Sequence, residues 1–342
     1  MKKVVLILIV GFLPFILLAQ DVQYSQFYAA PLYLNPAFAG ASENSKFGIN
    51  YRNQWPGMNQ TFNSFSAYVD HYIFNINSGV GVLVNGSRES MTGSSTNEFG
   101  LVYSYRLQLG FRSFLRVGGH AAHVSRDADF GSLVFNSQIN PLTGAIGDVS
   151  GEQLLTDLKN RYMDYNLGAL YHNESHWLGF SAHHVTEPSS SFLEPGFSRW
   201  PMKLSLHGGM KFTISEGISS NYGKESSHKK EVILAFNYKN QKPFSQLDMG
   251  MQFNVQPLVV GMWYRGIPSF DQIMPNNESI IMVLGVALTS GIDIGYSYDF
   301  TISRLGYGNT GGAHEVSMRY AFNQSSAKEK ARKAVILPCF KY

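Results

Sequence analysis

Five histidines, His120, His123, His183, His184 and His207, are the side chains best suited to catalysis or metal binding in this chain. A serine nucleophile needs an imidazole within hydrogen-bond reach, and a metal site needs several ligands that converge. The spacing offers neither. There is no H-E-x-x-H, C-x-x-C or G-x-S-x-G, and "GYGNTGGAHE" (306–315) lacks the strand-to-helix context of a phosphate loop. On a strand, His120 and His123 point to opposite faces, as do His183 and His184, so only a subset shares one face. The histidines read as hydrogen-bonding groups inside a larger structure. The expectation is a protein that is not an enzyme and has no cofactor and no metal.

Charges of both signs recur at positions that alternate with apolar ones: Lys203, Lys211, Asp248, Asp293, Asp299, Glu315 and Arg319. This is the pattern of a buried ion-pair network, because unpaired charges in a narrow interior are costly. Glu315 is placed to pair with an inward arginine such as Arg319. The elements that carry these charges are strands. In "MKLSLHGGMKFTI", Leu204, Leu206, Met210, Phe212 and Ile214 take one face, and Lys203, Ser205, His207, Gly209 and Lys211 take the other. "QLDMGMQFNV" and "GIDIGYSYDF" repeat the alternation.

Comparable segments start near Lys46, Thr61, Gly79, Asn97, Ser113, Met163, His176, Met202, Lys230, Ser245, Pro257, Ser279, Gly291 and Ala313. Fourteen is an even count inside the usual range of about 8 to 26 strands for outer-membrane barrels. Long connections alternate with tight ones, as such barrels require. The long ones include "NQWPGMNQ", "GSRESMTGSST", 126–161 and "RGIPSFDQIMPNNE"; the exception is "SEGISSNYGKESSHKK", long on the side of the short turns. Tyr103, Tyr105, Tyr296, Tyr298 and Tyr320 fall where interfacial girdles belong.

Composition agrees. Charged residues make up 15% of the chain, against about a quarter in ordinary soluble domains, and aromatics reach 14%. The net charge of +3, with no basic block interleaved with aromatics, argues against nucleic acid. After Lys2 and Lys3, the apolar run 4–18 reads as a secretory leader cleaved near Ala19. The longest later apolar run, 280–288, is far shorter than the ~20 residues of a spanning helix. A membrane chain of this kind must span with strands closed into a barrel. The expected architecture is all-β, a transmembrane antiparallel β-barrel of about fourteen strands. Its segments are a signal peptide (1–19), an N-terminal segment (20–45), the barrel (46–322) and a periplasmic tail (323–342) that holds the lone Cys339.

"YSQFYAAPLYLNPAFAG" (24–40) is apolar and aromatic but keeps neither period, and Pro31 and Pro36 bar it from a central strand. Leaving Phe27, Tyr28, Leu32, Tyr33, Leu34 and Phe38 in water would forgo about 1.5–3 kcal/mol of burial for each. The segment is therefore expected to plug the periplasmic mouth or the lumen.

Four stretches together resemble one family, the PorP/SprF outer-membrane proteins of the type IX secretion system in Bacteroidetes: "QYSQFYAAPLYLNPAFAG", "YRNQW" (51–55), "GGAHEVSMRYAF" (311–322) and the closing "PCFKY". The family pattern has serine where this chain has Ala313. The resemblance implies an outer-membrane location after Sec-type export, contact with outer-membrane lipid, and partners among the periplasmic components of the system. It also implies binding of the C-terminal domain of a large secreted surface protein, in support of secretion, surface attachment or gliding motility. Asn35, Pro36, Arg52, Gln54, Trp55, His314 and Glu315 are the motif residues it singles out, for family-specific packing or partner contact. The competing reading is a passive porin or uptake channel for small solutes.

Overall fold

The computed structural model describes residues 21–42, 44–129, 134–147, 158–192, 198–215, 230–267, 276–288 and 290–322. The leader with its cleavage point, the 323–342 tail with Cys339 and "PCFKY", and connection 216–229 lie outside the described residues.

The strands are β1 (Ser45–Gln54), β2 (Phe62–Ile73), β3 (Ser78–Glu89), β4 (Ser95–Gln108), β5 (Phe114–Ala128), β6 (Leu158–His172) and β7 (His176–His183). They continue as β8 (Lys203–Ser215), β9 (Lys230–Gln241), β10 (Phe244–Val255), β11 (Leu258–Ile267), β12 (Asn276–Ala287), β13 (Ile292–Thr301) and β14 (Ala313–Phe322). Each pairs antiparallel with its neighbours in sequence, and β1 pairs with β14 from Ser45↔Phe322 to Gln54↔Ala313, so the sheet closes into a barrel. Closure leaves no open edge, which is the condition for strands to cross lipid. Among the described residues no helix is long and apolar enough to cross a membrane.

Alternation sets the two surfaces. Leu206, Met210 and Phe212 on β8 point outward and are exposed, whereas Lys203, Ser205 and His207 point inward and are buried. An apolar exterior over a polar interior is the inverse of a soluble sandwich and the normal state of an outer-membrane barrel.

Both strand termini, Ser45 and Phe322, lie at one end of the barrel. That end also carries the short connections 74–77, 109–113, 173–175, 256–257 and 288–291. Short turns and chain ends mark the periplasmic side, which makes the other end external. The alternation of connection lengths is looser than the sequence implied. The external β9–β10 connection is only 242–243, and β3–β4 has shrunk to 90–94. β6 starts at Leu158, five residues before the expected Met163, because Lys159 and Arg161 extend the ladder opposite Asp127 and Ser125 of β5.

Candidate functional site

The lumen is not open. Residues 21–42 run through it, with Ala29, Ala30, Leu32, Asn35, Ala37 and Ala39 almost wholly removed from solvent. Proline shapes this segment. Pro31 opens a single helical turn, α1 (Pro31–Leu34), where its missing N–H costs nothing. Asn35 then caps a 3₁₀ turn (Pro36–Phe38), its side-chain oxygen accepting from the Ala37 N–H at 2.8 Å. The result is a compact, non-strand insert that leaves the wall's hydrogen bonding intact.

The wall is shaped to receive it. A Cβ on Gly79 would lie 2.0 Å from the Ala39 carbonyl oxygen, and one on Gly118 would lie 2.5 Å from the Ala37 nitrogen. Only glycine at these two strand positions lets backbone rest on backbone. Arg116 closes the periplasmic end, its guanidinium donating to the Ala39 and Gly40 carbonyls at 3.2 Å each, while the Gly40 N–H donates to Asp70 at 2.7 Å. Phe27 and Tyr28 pack on Trp263 with ring centroids 5.3 and 5.8 Å apart, and Phe38 stacks on His207 at 5.8 Å.

A chain of alternating charges braces the segment in its outer half. Lys239 pairs with Asp248 at 3.0 Å, Asp248 with Arg265 at 2.9 Å, and Arg265 with Asp299 at 3.2 Å. Asp299 then pairs with Arg52 at 2.9 Å, and Arg52 with Glu315 at 3.5 Å. Three cations and three anions cancel, which is what an interior shielded from water demands. The carboxylates have lone pairs left over, and the segment uses them. Ser25 N–H and Gln26 N–H donate to the two oxygens of Glu315 at 2.6 and 3.1 Å, and the Ser25 hydroxyl donates to Asp299. Arg52 also donates to the Ser25 hydroxyl, and Arg265 to the Tyr24 carbonyl at 3.1 Å. The Gln26 amide is satisfied by Ser297, Ser317 and the Glu315 carbonyl.

A second lock holds Asp21. Its carboxylate accepts from Trp200 Nε1 at 2.7 Å, from Gln241 Nε2 at 3.1 Å, and from Lys203 and His184. Burial pushes the Asp21 carboxyl up, but the charges of His184 and Lys203 outweigh it and hold the group well below the usual carboxylate range. His184, just past the end of β7, is opposed by burial yet raised to about 9 by Asp21 and Asp164. Two cavities flank this end of the segment, about 360 Å³ towards Lys239 and Gln246, and about 110 Å³ towards Glu98 and Asp164.

The motif residues are dispersed. Arg52 and Glu315 meet in the charge chain, with Gln54 beside Arg52 at the edge of hydrogen-bond range, 3.5 Å. Asn35 and Pro36 lie in the plug, where Asn35 Nδ2 donates to the carbonyls of Ala169 and Phe180 at 3.0 and 3.1 Å. Trp55 opens the external β1–β2 connection with φ +59°, its N–H donating to the Gly312 carbonyl at 2.9 Å and its ring against Phe62. His314 faces outward, its Nδ1 2.8 Å from the Tyr296 hydroxyl and its ring against Tyr298. It does not share the site of its neighbour Glu315.

Two pairings differ from expectation. Glu315 bonds Arg52, directly opposite it in register, and not Arg319, which lies four residues along the same strand and pairs with Asp293 at 3.4 Å. Four residues of strand span about 13 Å, beyond the reach of two side chains on one face. His184 also reaches the lumen beside His183, because its φ of +56° ends the alternation and turns the side chain back inward. His183 seats the Leu34 carbonyl at 3.2 Å, and His123 faces outward. Among the described residues no group of three or more His, Cys, Asp or Glu side chains is placed to hold a metal ion.

Residues 16–320 match the family described as type IX secretion system membrane protein PorP/SprF. The chain belongs to the PorP/SprF family. Barrel fold and family together point to the outer membrane and to partners within the secretion system. No curated protein matches this PorP/SprF chain. Among solved structures it is similar to a FadL homologue of Pseudomonas aeruginosa, with 12% identity, TM-score 0.44, and 84% of this chain and 93% of that one covered. It is also similar to the toluene transporter TodX of P. putida, with 8% identity, TM-score 0.47 and 85% and 93% coverage. CdiB from Acinetobacter baumannii gives 8% identity, TM-score 0.43 and 82% and 60% coverage.

Proposed function

We propose that this PorP/SprF barrel is a plugged, non-conducting binding component of the type IX secretion system. Under this reading it engages the C-terminal domain of a large secreted surface protein, periplasmic components of the system, or both, and supports secretion, surface attachment or gliding motility. It catalyses no reaction and takes no cofactor, and its leader is removed near Ala19 after Sec-type export. The observation that carries the reading is the filled lumen. A segment held by backbone contact at Gly79 and Gly118 and by hydrogen bonds to Arg52, Arg265, Asp299 and Glu315 of the buried charge chain is ill suited to a solute path, and suited to a rigid platform that presents its two mouths to partners.

The test is affinity capture of the tagged protein from mildly solubilised outer membranes, with mass spectrometry of what accompanies it. Recovery of a large surface protein through its C-terminal domain, or of periplasmic secretion components, is the expected result. Recovery of the barrel alone, together with steady ion conductance, would replace this reading with a passive porin.

A further inference from the structure

The plug leaves part of the outer lumen unfilled. Between its residues 21–34 and the strands β8, β9, β10 and β12 lies the cavity of about 360 Å³, inside the range of about 300–1,000 Å³ usual for small-molecule sites. The wall residues that line it stand at external strand ends: Lys203 opens β8, Gln241 closes β9, Phe244 opens β10, and Glu278 is the third residue of β12. The β9–β10 connection beside it, 242–243, is the shortest external one, so the rim is low there and the cavity is approached from outside. Tyr24, Phe27, Tyr33 and Leu34 of the plug line its inner side.

Phe244 departs from the rule that puts exposed apolar side chains on the lipid face. It pairs in register with Gln241 and lies two residues before Gln246, and both of these are buried on the lumen side. Alternation and cross-strand pairing therefore place Phe244 on the lumen face, yet it is 42% exposed. A ring in that position gains nothing from lipid, and in water it forgoes burial. It forms an apolar platform at the cavity mouth that a ligand can cover.

Behind this platform the wall is polar and electrically balanced. Lys203 is paired with Asp21, and Lys239 with Asp248. A free anion would compete with those carboxylates, and a free cation would meet two ammonium groups. Each ammonium carries three N–H donors, more than its one carboxylate partner uses. Acceptors are spare as well: Asn237 Oδ1 and Gln246 Oε1 are buried in this wall with no hydrogen-bond partner among the described residues. The terminal amide torsion is soft, so a small turn presents either oxygen to the cavity. The chemistry that answers all of these features is uncharged, donates and accepts at once, and has one apolar face. Sugar hydroxyls and the C–H face of a pyranose ring have those properties.

We infer that this external cavity is a binding site for an uncharged saccharide of one or two rings, stacked on Phe244 and hydrogen-bonded by Lys203, Lys239, Asn237 and Gln246. The plug closes the inner side, so the sugar is held at the outer mouth and is not passed through. A soluble saccharide and the sugar headgroup of an outer-leaflet glycolipid offer the same chemistry. The inference does not depend on the secretion partners proposed above.

The test uses the full-length protein, purified in a detergent without a sugar headgroup, because alkyl glycosides would occupy the site. Saturation-transfer NMR is recorded with glucose, galactose, maltose and lactose. The expected result is transfer to the ring protons of at least one of them, lost in Phe244→Ser and kept in Phe111→Ser, which alters an equally exposed type of ring on the periplasmic 109–113 connection. Phe244 is not part of the buried ion pairs, so its variant should migrate as folded. Asn237→Leu, which removes the spare acceptor without opening space, should weaken the same signal. No transfer from any of the four sugars, or equal transfer to the wild type and Phe244→Ser, overturns the inference. The oligosaccharide released by mild acid from the cells' own outer-leaflet glycolipid is then added as a competitor. Displacement of the bound sugar supports the site with glycolipid as its source, and lack of displacement supports it with a soluble saccharide.

Discussion

Arg52 and Glu315 face each other across the seam that closes the barrel. They are partners in the β1–β14 register, 3.5 Å apart, and both are shielded from water. The same two side chains grip Ser25 and Gln26 of the plug. Barrel closure and plug seating therefore share residues, because the two side chains that meet across the seam also satisfy part of the insert.

Arg52→Ala removes the cation between Asp299 and Glu315 and leaves two buried carboxylates short of a partner. Breaking a buried pair from one side costs about 3–5 kcal/mol. The expected outcome is a large drop in the temperature at which the folded band disappears in unboiled gels. Arg52→Met combined with Glu315→Gln should recover part of it, since no full charge is then left alone at position 315.

Gly79→Val should dislodge the plug without unfolding the wall. The new Cβ would meet the Ala39 carbonyl oxygen, whereas the ladder of β3 with β2 and β4 needs no change. Chymotrypsin should then cut between Tyr24 and Phe38 in a barrel that still migrates as folded.

Asn35→Ala deletes the cap of the 3₁₀ turn and two donations to wall carbonyls. Losing these donations to the part-buried Ala169 and Phe180 carbonyls costs about 0.5–1.5 kcal/mol for each bond. Asn35→Asp keeps the cap acceptor and loses the donors, so in denaturant titration it should recover little of that loss.

Much of this was legible in the chain. Thirteen of the fourteen strand starts fall within three residues of where alternation put them, because one face must meet lipid and the other water. The plug was legible from a waste argument, apolar side chains on a segment that two prolines bar from the sheet. What alternation lacks is depth and partner. It showed that Glu315 points inward, but Arg52 becomes its partner only through closure of β1 on β14. Arg265 sits in "RGIP", where glycine and proline read as loop, yet β11 runs to Ile267 and buries it. The Asp21 lock was invisible because its partners come from the β7–β8 connection, β8 and β9, and one of them, His184, is turned inward by a positive φ.

The Asp21 lock should depend on pH. His184 has its pKa raised to about 9 by Asp21 and Asp164, so its contribution is complete below its unfolded value near 6.5 and is lost as pH rises through 9. Asp21 is depressed, so its contribution holds above about 3.9 and fades only as pH falls well below that. Thermal stability of the folded band should decline between pH 6.5 and 9.5 in the wild type, and His184→Gln should flatten that decline.

Single-channel recording of the purified wild-type protein in planar bilayers bears most directly on the central claim, that this barrel works by binding with its lumen sealed. The account predicts a silent bilayer despite verified insertion of folded protein. Steady, ohmic openings from the wild type would contradict it.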